Sequence, residues 1–241
     1  MVYTTCMQRI ISVALDVPIY KLFDYHCNDE GAKVGARVKV PFGKSTRIGI
    51  IVEINNTKTK KSEYEVKDIH ELLDIRPILS SELLKTTKWA ATYYHYPIGQ
   101  VLFSSISPIL RKGNIEPSGS LKDDAITEPN PLVLNEEQSK VSESIYNDIN
   151  KYQVNYLRGV TGSGKTEVYT SLAAKILKND GQVLIMVPEI NLTPQTLARF
   201  QKYLSVSPQE YHSNLTPLQK FKIWKACRDN EKLLVIGTRS S

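Results

Sequence analysis

Gly159-Val160-Thr161-Gly162-Ser163-Gly164-Lys165-Thr166 decides how this chain is read. The eight residues fit Gly-x-x-x-x-Gly-Lys-[Ser/Thr], the phosphate-binding P-loop. Each residue type has a task beside a triphosphate. The glycines let the backbone curl until successive N–H groups aim at one point. A following helix offers free N–H groups and a favourable dipole to the same anion. Lys165 is expected to reach the β- and γ-phosphates, and the Thr166 hydroxyl to ligate Mg²⁺. Gly159, Gly162, Ser163 and Gly164 complete the nucleotide-binding set, so a nucleoside triphosphate with Mg²⁺ is the expected ligand. A chance Gly-rich turn would fit the letters but not the flanks. Val154–Leu157 reads as a strand before the loop, and 165–178 as a helix after it, with Val168, Leu172 and Ile176 four apart.

Outward from the loop the rhythm is strand, helix, strand, helix. Strands are expected at 154–157, 182–187 and 232–236, and helices at 165–178, 194–204 and 217–228. Two of those helices open on Thr-Pro, at Thr193-Pro194 and Thr216-Pro217, with Thr as cap and Pro at the first helical position. Such alternation predicts a parallel sheet with crossover helices and ligands at the carboxyl ends of its strands. Asn135 is expected to cap a further helix running to 150.

Residues 9–54 differ in character. The β-branched runs 9–15, 36–40 and 47–54 lie between Pro, Gly and Asn, and 66–73 adds another expected strand. Ser80 or Ser81 then caps a helix with Leu83, Leu84, Trp89, Ala90, Tyr93 and Tyr94 on a broad face, followed by a short helix over 99–105. Between the two parts, 113–133 is rich in Gly, Pro, Ser, Asn and Asp and reads as a linker. The fold class is therefore α/β: a β-rich domain over 1–112, then an incomplete RecA-like P-loop sheet over 134–241.

The 241 residues carry a formal net charge of +6. Residues 1–113 hold 16 Lys/Arg against 11 Asp/Glu, 114–135 hold one against four, and 136–241 hold 14 against 10. Two basic segments around an acidic one suit a polyanionic partner, although a basic surface also serves solubility alone. Cys6, Cys27 and Cys227 lie far apart with no C-x-x-C, which argues against a zinc ribbon or a disulfide framework. The longest apolar runs, 48–52 and 183–187, are too short to span a membrane, and the start makes a poor signal peptide. A cytoplasmic protein without a membrane partner is expected.

Three further segments sharpen the P-loop: Val187-Pro188-Glu189-Ile190-Asn191-Leu192-Thr193-Pro194-Gln195, His212-Ser213-Asn214-Leu215 and Ile236-Gly237-Thr238-Arg239-Ser240. With them go Leu22-Phe23-Asp24-Tyr25, Arg37-Val38-Lys39-Val40-Pro41-Phe42-Gly43, Gly49-Ile50-Ile51-Val52 and the run Trp89 to Gly99. Together they resemble the PriA family of replication-restart helicases in helicase superfamily 2, across nearly the whole chain except the linker. The resemblance implies that residues 1–112 form a DNA 3′-end-binding domain, with Phe23, Asp24, Gly43 and Lys67 in its pocket. The chemistry is suitable. An aromatic ring stacks on a terminal base. A carboxylate accepts from a 3′-hydroxyl and repels a phosphate. Glycine lets the backbone approach the sugar, and lysine neutralises phosphate. Without the family, Phe23 reads as a core aromatic and Asp24 as a turn residue.

The resemblance also implies that Gln138 recognises the adenine base, and that Glu189, Thr193 and Arg239 lie in loops touching single-stranded DNA. His212 is expected to be structural or near DNA. Forks, 3′ ends and single strands are the implied DNA partners. Primosome proteins, single-strand-binding protein and a helicase loader are the implied protein partners, and ATP-dependent 3′→5′ unwinding the implied activity.

The chain also departs from the family. A winged-helix domain is expected between the two parts, where only about twenty linker residues stand. The Asp-Glu-x-His box that holds Mg²⁺ and activates water does not occur, nor does the second motor lobe with its arginine fingers and zinc-binding cysteines. Asn191 and Ser241 replace the usual Gly and Ala. A fragment or a frameshifted gene is the expectation drawn from these departures. The alternative to the full motor is a 3′-end-binding remnant that holds ATP without hydrolysing it. An unrelated P-loop kinase leaves the basic β-rich part unexplained.

Overall fold

The computed structural model describes residues 9–55, 66–114, 117, 121, 130–188, 194–204 and 206–238. The chain divides into two compact units, Met1–Pro117 and Ser118–Ser241. The division falls inside the expected linker, most of which lies outside the described residues.

The first unit is built on a mixed sheet. Its strands are β1 (Arg9–Leu15), β2 (Phe23–Cys27), β3 (Arg37–Phe42), β4 (Ser45–Asn55), β5 (Lys67–Asp68) and β6 (Glu71–Leu72), ordered β5-β2-β1-β4-β3-β6. Every pairing is antiparallel except β2 with β5. The expected strand over 66–73 is instead two short pieces on opposite edges. Ile69 N–H donates to His26 O on β2, and His70 N–H to Lys39 O on β3. One segment thus stitches both edges and curls the sheet. Ile11, Val13, Leu15, Val38, Val40 and Ile51 fill the interior.

Helix α1 (Ser81–Tyr93) starts at Ser80, whose hydroxyl accepts from the Leu83 N–H at 3.2 Å. Its buried positions are Leu84, Thr87 and Ala91, one turn apart. The expected apolar face was therefore too broad. Trp89 is 58% exposed, and it stacks on Tyr93 in solvent with centroids 5.0 Å apart. Helix α2 (Ile98–Ser104) packs so close to β1 that a Cβ on Gly99 would meet Leu15 O at 1.7 Å. A short α3 (Pro108–Arg111) closes the unit.

In the second unit, α4 (Glu136–Asn147) precedes α5 (Lys165–Lys178), β7 (Gln182–Met186), α6 (Pro194–Tyr203), β8 (Gln209–Tyr211), α7 (Pro217–Arg228) and β9 (Leu233–Gly237). The sheet is parallel, ordered β7-β9-β8. Its buried centre is β9. Leu234 and Ile236 pack with Ala173 and Leu177 of α5 and Phe200 of α6. Leu233 and Val235, pointing the other way, pack with Ile223 and Ala226 of α7. Helices on both faces of a parallel sheet are the layered α/β arrangement expected from the alternation.

Two expectations fail here. Residues 154–157 form no strand: Val154 and Tyr156 are 82% and 89% exposed, and no described strand pairs with them. The third strand of the sheet is β8, which is three residues long and lacks any apolar alternation.

Helix α7 ends on Asp229, an acid where the dipole disfavours one. Burial pushes its carboxyl up, but hydrogen bonds from Arg228 and Lys225, each 2.9 Å, outweigh this and hold it at about 2. A folded pKa below the unfolded value of about 3.9 gives stability that is present above that pH and is lost as pH falls toward 2. Asp229→Asn is expected to cost about 2 kcal/mol at pH 7. The gap from wild type should narrow steadily below about pH 4 in urea melts followed at Trp224. A gap independent of pH would contradict this assignment.

Candidate nucleic-acid pocket and nucleotide loop

Four residues that lie up to 44 positions apart in sequence meet at one pocket of about 390 Å³ in the first unit. Phe23 and Asp24 open β2, Gly43 turns the β3–β4 hairpin, and Lys67 begins β5. The parallel pairing of β5 with β2, Tyr25 opposite Lys67, brings the lysine to the pocket. Gly43 has φ +59°, a left-handed conformation suited to glycine in a two-residue turn, and nothing lies within 4 Å in front of it. Its backbone is thus open to an approaching ligand.

The walls are aromatic and basic. Phe23 meets Phe42 edge to face, with centroids 5.2 Å apart, and Lys21 Nζ sits 5.7 Å from the Phe23 ring. Tyr25 is buried behind them and its hydroxyl donates to Pro41 O at 3.0 Å. Burial pushes that phenol above its ordinary pKa, so it stays a neutral donor. Asp24 is exposed and accepts from the Ser12 hydroxyl at 2.7 Å. Lys21 and Phe42 line the pocket and Ser12 holds its Asp24 from behind, three roles that sequence reasoning missed. Lys21 adjoins the quoted Leu22–Tyr25 motif and Phe42 lies within the quoted Arg37–Gly43 motif, which was the available signal. Ser12 had none, because it sits inside an apolar run.

In the second unit the P-loop connects to α5 as its sequence demands. Gly162 and Gly164 have φ +81° and +82°, and Gly164 is the residue from which α5 springs. Lys165 bends back over the loop, its Nζ donating to Gly159 O at 2.7 Å and Val160 O at 2.8 Å. The ammonium therefore stands in the bowl of the loop beside the free N–H groups of the first turn. Thr166 is half-buried in that turn. Curvature, helix end and lysine together fit a polyphosphate.

Gln138 belongs to this loop in space. It closes a capping box with Asn135: its N–H donates to Asn135 Oδ1 at 2.8 Å and its Oε1 accepts from the Asn135 N–H at 2.9 Å. Its Nε2 donates to Ser163 O at 3.2 Å. One amide proton and one lone pair remain for another partner. A Cβ on Gly164 would stand 2.0 Å from that Nε2, so the glycine is what admits the amide. Downstream, Glu167 pairs with Arg199 of α6. Burial raises its carboxyl, but its own backbone N–H and Arg199 outweigh this and keep it below the usual value.

Glu189, Thr193 and Arg239 lie outside the described residues. His212 is half-buried, and its Nδ1 accepts from the Asn214 N–H at 3.2 Å in a local turn. Among the described residues, no group of three or more His, Cys, Asp and Glu side chains could hold a metal, and no helix is long and apolar enough to cross a membrane.

Comparison with known proteins follows the same division. Residues 12–107 match the family described as 3′DNA-binding domain, and residues 131–241 match the family described as type III restriction enzyme, res subunit. The replication restart protein PriA of Haemophilus influenzae is 31% identical over 309 aligned residues, covering 97% of this chain and 42% of that protein. Its counterpart in Rickettsia prowazekii is 33% identical over 238 residues, covering 97% of this chain and 35% of that protein. The Bacillus subtilis protein of the same name is 33% identical over 146 residues, 57% of this chain and 18% of its own length. The chain thus spans well under half of these relatives. The Haemophilus and Rickettsia alignments cover the same share of this chain, yet the Haemophilus one is longer by 71 positions, the difference between 309 and 238.

Proposed function

We propose, for a chain that belongs with the PriA replication restart proteins, that its first unit grips the 3′-hydroxyl end of a DNA strand and its second binds ATP. The observation that carries the first half is the convergence of Phe23, Asp24, Gly43 and Lys67 on one pocket. Phe23 stacks on the terminal base, with Phe42 and Lys21 steadying the ring. Asp24 accepts a hydrogen bond from the terminal hydroxyl and repels a terminal phosphate. Lys67 neutralises a backbone phosphate, while the open backbone at Gly43 lets the sugar approach.

In the second unit, Lys165 serves the β- and γ-phosphates and Thr166 the Mg²⁺ of bound ATP, with the loop amides around the phosphates. The remaining donor and acceptor of Gln138 suit an adenine edge. Glu189, Thr193 and Arg239 serve the single strand. Bound Mg²⁺ would supply charge neutralisation at the phosphates. Residues 1–241 carry no Asp-Glu-x-His box, so these residues alone are expected to hold ATP without appreciable turnover. Fork recognition, 3′→5′ unwinding and primosome assembly, with single-strand-binding protein and a helicase loader in the cytoplasm, are the proposed setting of the whole-length protein.

The test compares oligonucleotides that differ only at the terminus. Wild type is expected to favour a 3′-hydroxyl over a 3′-phosphate by at least about tenfold, the worth of one charge-assisted hydrogen bond. Asp24→Asn should abolish most of that preference in fluorescence anisotropy. Equal affinity of wild type for both termini would overturn the end-binding reading.

A further inference from the structure

We propose that Ser12 is a positioning residue for the carboxylate that reads the strand terminus, so that end selectivity is set by a Ser12–Asp24 pair. The inference rests on the end-binding function of Asp24 proposed above. Ser12 is the single polar residue in the run Ile11 to Leu15 of β1, and it is 7% exposed. A buried hydroxyl needs a partner. The antiparallel register sets Ser12 opposite Asp24 on β2, and the hydroxyl donates to Asp24 Oδ1 at 2.7 Å.

On the other side of β1, Ser12 faces Glu53 of β4, a second carboxylate within the same row. Two features turn the hydroxyl to Asp24. The β1–β4 register slips between Ser12 and Val13, a bulge of the kind that re-aims side chains beside functional sites. Glu53 is also occupied, being paired with Lys88 at 3.5 Å.

The consequence for binding is geometric. An exposed aspartate samples several orientations, and ordering it on binding costs affinity. Ser12 holds one oxygen and so fixes the plane of the carboxylate. Among the described residues no donor is assigned to Asp24 Oδ2, which is left to accept from the sugar hydroxyl. The single Ser12 proton is already committed, so it is not offered to a terminal phosphate.

The experiment measures anisotropy of 5′-labelled oligonucleotides ending in 3′-hydroxyl or 3′-phosphate on the full chain. Ser12→Ala is expected to weaken 3′-hydroxyl binding about tenfold and to change 3′-phosphate binding less than twofold. Ser12→Thr, which keeps the hydroxyl, should retain the preference. The double variant Ser12→Ala/Asp24→Asn should be no worse than Asp24→Asn alone, because the two act as a unit. A purely structural serine would lower the melting midpoint and leave the ratio of the two affinities untouched, which would overturn the proposal. Loss of the preference in Asp24→Asn but not in Ser12→Ala would overturn the role of Ser12 alone. A preference unchanged in both variants would overturn the end-reading assignment of Asp24 and the proposal with it.

Discussion

Asp74→Ala is expected to destabilise the first unit by about 3–5 kcal/mol, the cost of stranding a buried charge. Arg37 is 1% exposed and directs four of its five guanidinium N–H donors to partners at one corner of the curled sheet. Its Nε and Nη2 grip the two oxygens of Asp74 at 2.9 and 2.7 Å, and Nη1 donates to Leu110 O and Asn114 O at 2.7 and 2.9 Å. The Arg37 backbone N–H adds a third bond to the same carboxylate, at 2.8 Å. Removing Asp74 leaves a buried guanidinium with half of its side-chain hydrogen bonds gone. A domain of this size has only about 5–15 kcal/mol to lose. The paired change Arg37→Met/Asp74→Leu removes both charges and should recover part of the loss. Full recovery is not expected, because the buried Leu110 carbonyl and that of Asn114 then lose their donor. The two tryptophans make the measurement clean, since Trp89 belongs to the first unit and Trp224 to the second. Urea unfolding followed at Trp89 in a Trp224→Phe background reports the first unit alone. A midpoint corresponding to less than about 1 kcal/mol of change would refute this role for the ion pair.

The sequence made some of this structure readable and concealed the rest, for physical reasons. Strand β1 and helices α5 and α7 have the boundaries expected of them, because each is bounded by local chemistry: Asp16 after a β-branched run, Gly164 before Lys165, Thr216-Pro217 before α7. Strand β2, which carries Phe23 and Asp24, is not recognisable by alternation, since five residues with two polar members are too few to establish a period. The expected strand at 154–157 has the right composition, but composition cannot supply a neighbour to pair with, and a strand is defined by its neighbour. The split of 66–73 has the same origin: curling of the sheet, a property of all its strands, decides that one segment serves two edges. The pocket was assembled from a family likeness rather than from spacing, and its four residues do converge. Ser12 escaped even so. Its partner is fixed by strand register, and register is a relation between two segments that neither one records.

Lys165→Ala is expected to weaken binding of Mg²⁺-ATP by at least about 100-fold while leaving 3′-end binding unchanged. The two carbonyls that hold the ammonium, Gly159 O and Val160 O, are acceptors that phosphate oxygens can replace with stronger, charge-assisted bonds. Lys165 therefore pre-positions a full positive charge at the point toward which the loop amides and the α5 dipole already converge. Alanine removes that charge and also the internal tie between Lys165 and the loop carbonyls. A hundredfold loss corresponds to about 2.7 kcal/mol, within the range for one charge-assisted contact together with lost preorganisation. Lysine-to-arginine exchange should rescue little, because a planar fork does not fit where a compact ammonium meets two carbonyls. Gly164→Ala provides an independent control on the same loop. It puts a side chain at φ +82° and drives Cβ to 2.0 Å from Gln138 Nε2, so it should disturb the Gln138 contact and the helix start together. Titration with a fluorescent ATP analogue reads all three variants. Binding of Lys165→Ala within threefold of wild type would mean that the loop does not hold the triphosphate through this lysine. Loss of 3′-end binding in the same variant would mean that the two units do not act independently.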